Sequence, residues 1–126
     1  MEITLKLSEI LNLNQILKNI IDDKNLKMDS LFKFQLLGIM KTFEPYVTNF
    51  GVIRNEKIVE YGKKTDDGKT SIDQNDKETM EKFMNDISKV VNGEITINMA
   101  KLKAKDVFDK GSTAEYLVGL YPIIEQ

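Results

Sequence analysis

The chain reads as an α+β domain, mostly helical, with a long helical hairpin, a third helix and a small two-stranded sheet. Three observations predict this. Apolar residues keep helical spacing from Leu31 to Tyr61, at Phe32, Leu36, Ile39, Met40, Phe43, Val47, Phe50 and Ile53. Two short stretches far apart, 2–7 and 94–99, alternate apolar and polar residues instead, and polar breaks containing Gly or Asn separate the blocks. With 126 residues and 41% hydrophobic content, residues 1–126 form a single domain with a real core.

Taken in order, Ile3, Leu5 and Leu7 lie on one face of the first segment, with Thr4 and Lys6 on the other. That is a half-buried strand. Ser8 is placed to cap a helix running to about Asp22, with Leu11, Leu13, Ile16, Leu17, Ile20 and Ile21 inward. After the polar break Asp23-Lys24-Asn25, Asp29-Ser30 caps the long helix, and the short link sets the two helices antiparallel. Leu31 to Tyr61 spans roughly 45 Å at about 1.5 Å per residue. Pro45 removes a backbone donor in its middle, so a kink is expected near Thr42 to Glu44.

Gly62 is expected to end this helix as a left-handed cap. The polar segment 62–75 turns back on itself at Asp67-Gly68 as an exposed hairpin-like loop. A third helix covers Asp76 to Val91, with Met80, Phe83, Met84, Ile87, Val90 and Val91 on one stripe and an Asn92-Gly93 stop. Ile95, Ile97 and Met99 then alternate with Thr96 and Asn98, giving a second strand that pairs segment 94–99 with 2–7. Ser112-Thr113-Ala114-Glu115 has capping-box spacing and opens a short helix closed by Pro122.

Composition excludes much chemistry. There is no Cys and no His, so disulfides, zinc-thiolate and iron–sulfur sites, thiol nucleophiles and imidazole bases are all out of reach. The net charge is -2 and Arg54 is the only arginine, which argues against nucleic acid as a partner. No apolar run is long enough to cross a bilayer, and the first residues do not resemble a secretory signal. A cytoplasmic location follows, or a particle assembled there.

Candidate motifs fail on spacing. Gly62 to Thr70 has five residues between its glycines where a phosphate-binding loop needs four, no preceding strand, and Asp66-Asp67 inside it. Neither Asp66-Asp67 nor Asp73-Asp76 combines the alternating oxygen ligands with the central glycine of a calcium loop. Asp22-Asp23 is a helix end without a carboxylate partner for acid–base work. Lys101, Lys103, Lys105 and Lys110 form a basic run without interleaved aromatics, more often a solvated edge than an anion site. An enzyme built on Tyr, Lys and Asp alone would need a polar pocket lined by lysines and carboxylates. No catalytic, cofactor-binding or metal-binding residue is therefore assigned, and no cofactor is expected.

The long helix carries the one positive signal. Leu31, Phe34, Leu37, Tyr46 and Val52 are apolar but lie off its main stripe. An arc so wide either places the helix in the middle of the fold or offers these five residues to a protein partner.

The order of signals also resembles a known group. The short first strand, two helices, the Tyr61-Gly62 exit with its acidic Asp67-Gly68 turn, the helix ending at Gly93-Glu94-Ile95, the second strand and the Tyr121-Pro122-Ile123-Ile124 end resemble small uncharacterised proteins of bacteriophages that infect low-GC Gram-positive bacteria. The Lys-, Asn- and Ile-rich vocabulary is similar as well. That group has no assigned site residues, so none carries over. The resemblance implies a viral protein of the host cytoplasm or the virion. Together these observations lead to the expectation of a non-enzymatic phage protein acting by protein–protein binding, as a small virion or assembly component. The alternative is an early cytosolic factor that binds and modulates a host enzyme or defence protein. The partner would be a second copy of the chain in a homo-oligomer, another phage protein or a host protein.

Overall fold

Two strands from opposite ends of the sequence close the fold. The computed structural model describes residues 2–24, 26–109 and 118–125. Strand β1 (Glu2–Lys6) pairs antiparallel with β4 (Glu94–Asn98), Ile3 opposite Ile97 and Leu5 opposite Ile95. The alternation decides which side chains face inward. Ile3, Leu5 and Ile97 are buried, whereas Glu2, Thr4, Lys6, Glu94, Thr96 and Asn98 are exposed. On the outer face the Thr4 and Thr96 hydroxyls lie 3.0 Å apart. The expected pairing of 2–7 with 94–99 is present. Leu7 just outlasts the strand and donates its N–H to the Gly93 carbonyl at 3.0 Å.

Helix α1 (Leu7–Asp22) starts one residue before Ser8, so Ser8 is not its cap. The Glu9 carboxylate accepts from the Lys6 backbone N–H at 3.0 Å instead, an acidic side chain at the positive end of the helix. Ile10, Leu13, Leu17 and Ile20 form the buried stripe, with Ile16 and Ile21 half-buried beside it. They meet Phe32, Leu36, Ile39 and Phe43 of α2 (Ser30–Tyr61). Each fully buried side chain of this kind is worth roughly 1.5–3 kcal/mol of removal from water. Asp29 caps α2 as expected, accepting from the Phe32 N–H at 3.2 Å. The helix continues through Pro45, and Thr42 donates its hydroxyl to the Gly38 carbonyl at 3.1 Å.

Gly62 corrects a second expectation. Its φ of -90° and ψ of 171° are extended, not left-handed. Glycine is required by crowding: a Cβ there would overlap the Ile58 carbonyl oxygen and come within 2.9 Å of the Ser71 carbonyl oxygen. Strand β2 (Lys63–Lys64) pairs with β3 (Thr70–Ser71) around the predicted turn, where Gly68 takes the positive φ of 81°. Asp67 stabilises the turn through the Thr65 hydroxyl and the Lys69 N–H.

Helix α3 (Lys77–Val91) is capped by Asp76, which accepts from the Thr79 N–H at 3.1 Å and the Thr79 hydroxyl at 2.8 Å. Only Phe83 of its stripe is buried, and Met84 points to solvent. A short helix α4 (Ala104–Asp109) occupies part of the lysine run, where no element was expected. Leu102 and Ile124 then form a parallel bridge, with Val107, Leu120 and Ile123 fully buried behind it. The capping box at 112–115 and Lys110 lie outside the described residues.

Candidate functional site: the outward face of the long helix

The buried stripe of α2 fixes what the opposite side presents. Phe32, Leu36, Ile39 and Phe43 face the core, and at 100° per residue Phe34, Leu37, Val52 and Val59 fall on the far side. Phe34 is 73% exposed, Val59 67%, Leu31 61%, Val52 52% and Leu37 44%. Between Phe34 and Val59 this face runs roughly 38 Å at about 1.5 Å per residue. Burial at the centre of the fold, one of the two readings open from sequence, does not describe this side of the helix.

Four of the five residues singled out from sequence, Leu31, Phe34, Leu37 and Val52, are thus on the surface. Tyr46 is not among them: it is half-buried and packs against the core. Val59 was missed. It lies seven residues beyond Val52, two helical turns on, and that spacing could have revealed it.

The face has relief. A shallow groove of about 610 Å³ is lined by Phe34, Leu37, Met40 and Val47, with Asn14 of α1 on one wall and Lys41 and Glu44 among its polar edges. A second depression of about 460 Å³ lies between Val52, Asn55, Glu56 and Val59. Apolar floors with a few charges at the margin suit an amphipathic peptide or helix.

The half of α2 carrying Val52 and Val59 is positioned by a polar clasp on its other side. The Tyr61 hydroxyl donates to Asp86 Oδ2 of α3 at 2.6 Å. Lys57 Nζ lies 3.4 Å from the same oxygen and 2.9 Å from Glu60. The Tyr61 hydrogen bond, helped by Lys57, holds the Asp86 carboxyl below the usual carboxylate range. The same bond raises the Tyr61 phenol, and Glu60 followed by Asp86 raises Lys57. A phenol pushed upward keeps its proton at neutral pH, which makes Tyr61 a poor base or nucleophile there. The cluster joins helices.

A third hollow, about 440 Å³, lies between α2 and residues 98–106. Lys101, Lys103 and Asp106 line it beside Gln35, Thr42 and Asn98. This is where the basic run meets a carboxylate, and neither lysine forms an ion pair among the described residues. Lys105 lies exposed on α4. Among the described residues no group of three or more acidic side chains could hold a metal ion, and no helix is long and apolar enough to cross a membrane.

The chain matches no protein-family model, no curated protein and no solved structure.

Proposed function

We propose that the protein works by binding another protein through the outward face of α2. The observation that carries this reading is the exposure of Phe34, Leu37, Val52 and Val59 on one side of one helix. Aromatic and aliphatic side chains left in water cost roughly 25 cal/mol per Å² of apolar surface, and a partner that covers them recovers that free energy. The absence of Cys and His adds support for a role without catalysis. The resemblance to small phage proteins directs the reading further, to a virion or assembly component acting in the host cytoplasm.

A photo-crosslinking residue at position 34, in protein expressed during infection, tests it. The expected product is a covalent adduct with a virion or assembly protein, lost in a Val59→Asp companion variant, together with cosedimentation with purified particles. Adducts with a host enzyme would move the assignment to an early host-directed factor. A protein that is strictly monomeric, absent from particles and uncrosslinked would overturn the reading.

A further inference from the structure

The outer edge of β1 is a second contact surface, separate from α2, and it matches itself. In the antiparallel ladder the Leu7 N–H bonds to the Gly93 carbonyl, and Leu7 and Gly93 continue the register in which Leu5 faces Ile95 and Ile3 faces Ile97. Residues 3 and 5, together with the Leu7 N–H, therefore point their backbone groups at β4. Residues 2, 4 and 6 aim theirs the other way. The 3.0 Å approach of the Thr4 and Thr96 hydroxyls fits that phase, because side chains come closest at the pairs that do not exchange backbone bonds. Among the described residues no partner takes the N–H or C=O of Glu2 or Thr4, while the Lys6 N–H is held by Glu9 and the Lys6 C=O, at the N-cap, accepts the first bond of α1.

The strand is Glu2-Ile3-Thr4-Leu5-Lys6. Lay a second copy antiparallel beside it, centred on Thr4, and the outward-aimed residues meet each other. Thr4 faces Thr4, Glu2 faces Lys6 of the other copy, and Lys6 faces Glu2. Thr4 and Glu2 bring free backbone groups to this edge, whereas both backbone groups of Lys6 are committed to the start of α1, so Lys6 meets Glu2 through its side chain. The two terminal pairs join opposite charges, and neither Glu2 nor Lys6 has an ion pair within one chain among the described residues. Ile3 and Leu5 stay on the core side of both sheets. The outer edge of β4 offers no equivalent: pairing Glu94-Ile95-Thr96-Ile97-Asn98 with itself sets Glu94 against Asn98 and joins no opposite charges.

The geometry points to a two-fold dimer in which β1 of one copy pairs with β1 of the other, giving a continuous sheet in the order β4–β1–β1–β4. The pairing is isologous and closes on itself, so it stops at two chains. It also covers an edge that is otherwise an open template for strand addition. Because Glu9 holds the Lys6 N–H and the Lys6 carbonyl takes the first bond of α1, each Glu2–Lys6 pair adds an ion pair between side chains. The Thr4 pair adds two backbone bonds.

Sedimentation equilibrium of the full chain tests this with a charge swap. Wild type is expected at twice the 14.5 kDa chain mass. Glu2→Lys and Lys6→Glu each set like charges opposite one another at both ends and should weaken dimerisation on the order of tenfold. The double variant E2K/K6E restores the opposite pairing and should recover the wild-type dimer. Thr4→Pro removes the central donor without touching the β1–β4 ladder, since that N–H faces outward, and should give a folded monomer by circular dichroism. Hydrogen exchange adds an independent readout: the Thr4 amide of the wild type is protected in the dimer and exchanges freely once dilution gives the monomer. A wild-type chain that stays monomeric at hundreds of micromolar overturns the proposal. So does a dimer indifferent to Thr4→Pro and to both single reversals.

Discussion

The two halves of α2 are held by different forces. From residue 30 to 46 it buries Phe32, Leu36, Ile39 and Phe43 against α1 and the sheet. From residue 47 to 61 it buries none of its side chains fully. Val47, Phe50, Ile53 and Ile58 are half-covered, and the polar clasp to α3 does much of the positioning. Yet both halves show apolar residues on the outward face. The contrast teaches that the first half is fixed by close packing, which is costly to disturb and indifferent to pH. The second depends on partly solvated hydrogen bonds that titrate.

Substitutions should expose this difference. Phe43→Ala, at a site with no solvent exposure, is expected to cost about 3–5 kcal/mol of global stability in urea unfolding. Phe50→Ala, on the same stripe but half-covered, should cost clearly less. Equal losses would erase the distinction between the halves. Next in size, Gly62→Ala should destabilise by about 1–3 kcal/mol, because the new methyl meets the Ile58 and Ser71 carbonyl oxygens. Hydrogen exchange should show the loss concentrated at the end of α2 and in the β2–β3 hairpin.

A smaller effect is expected from pH, confined to the second half. The folded pKa of Asp86 is lowered from 3.8, so its contribution is complete above that value and disappears as pH falls through the folded value. The Tyr61 phenol is raised from 10.0, so its contribution is complete below that value and disappears as pH climbs through the folded value. Amides of α3 should lose protection at both extremes, and Tyr61→Phe should flatten the response at both ends. Smallest of all for stability is Phe34→Asp. It should shift unfolding by no more than about 0.5 kcal/mol, as surface changes do, while abolishing the adduct formed from a photo-crosslinking residue placed at position 52 of the same face. A large loss of stability would mean that Phe34 is structural.

Much of the fold was legible because its signals are local. Alternation at Ile3-Thr4-Leu5 and Ile95-Thr96-Ile97 marked both strands, Asp29 marked a cap, and Asp67-Gly68 marked a turn. The misses have long-range causes. Gly62 looked like a left-handed cap, but it is needed because a side chain would meet the Ile58 carbonyl oxygen and also that of Ser71, nine residues on, which no reading of the helix end contains. Ser8 lost the capping position because Leu7 reaches across to Gly93 and Glu9 folds back to Lys6. The outward face was legible in kind, since the off-stripe residues were apolar. Tyr46 could not be separated from the other four by spacing alone, as its cover comes from the core beside α2.

The ribbon that joins residues 2–6 to 94–98 bears on how the molecule is made. A ribosome releases the first strand long before its mate exists, so Ile3 and Leu5 wait while some ninety residues are still being synthesised. The α1–α2 hairpin needs only neighbouring sequence and can form meanwhile; the ribbon, with its long loop to close, comes last. A nascent chain halted at residue 93 would accordingly hold two docked helices and a loose beginning.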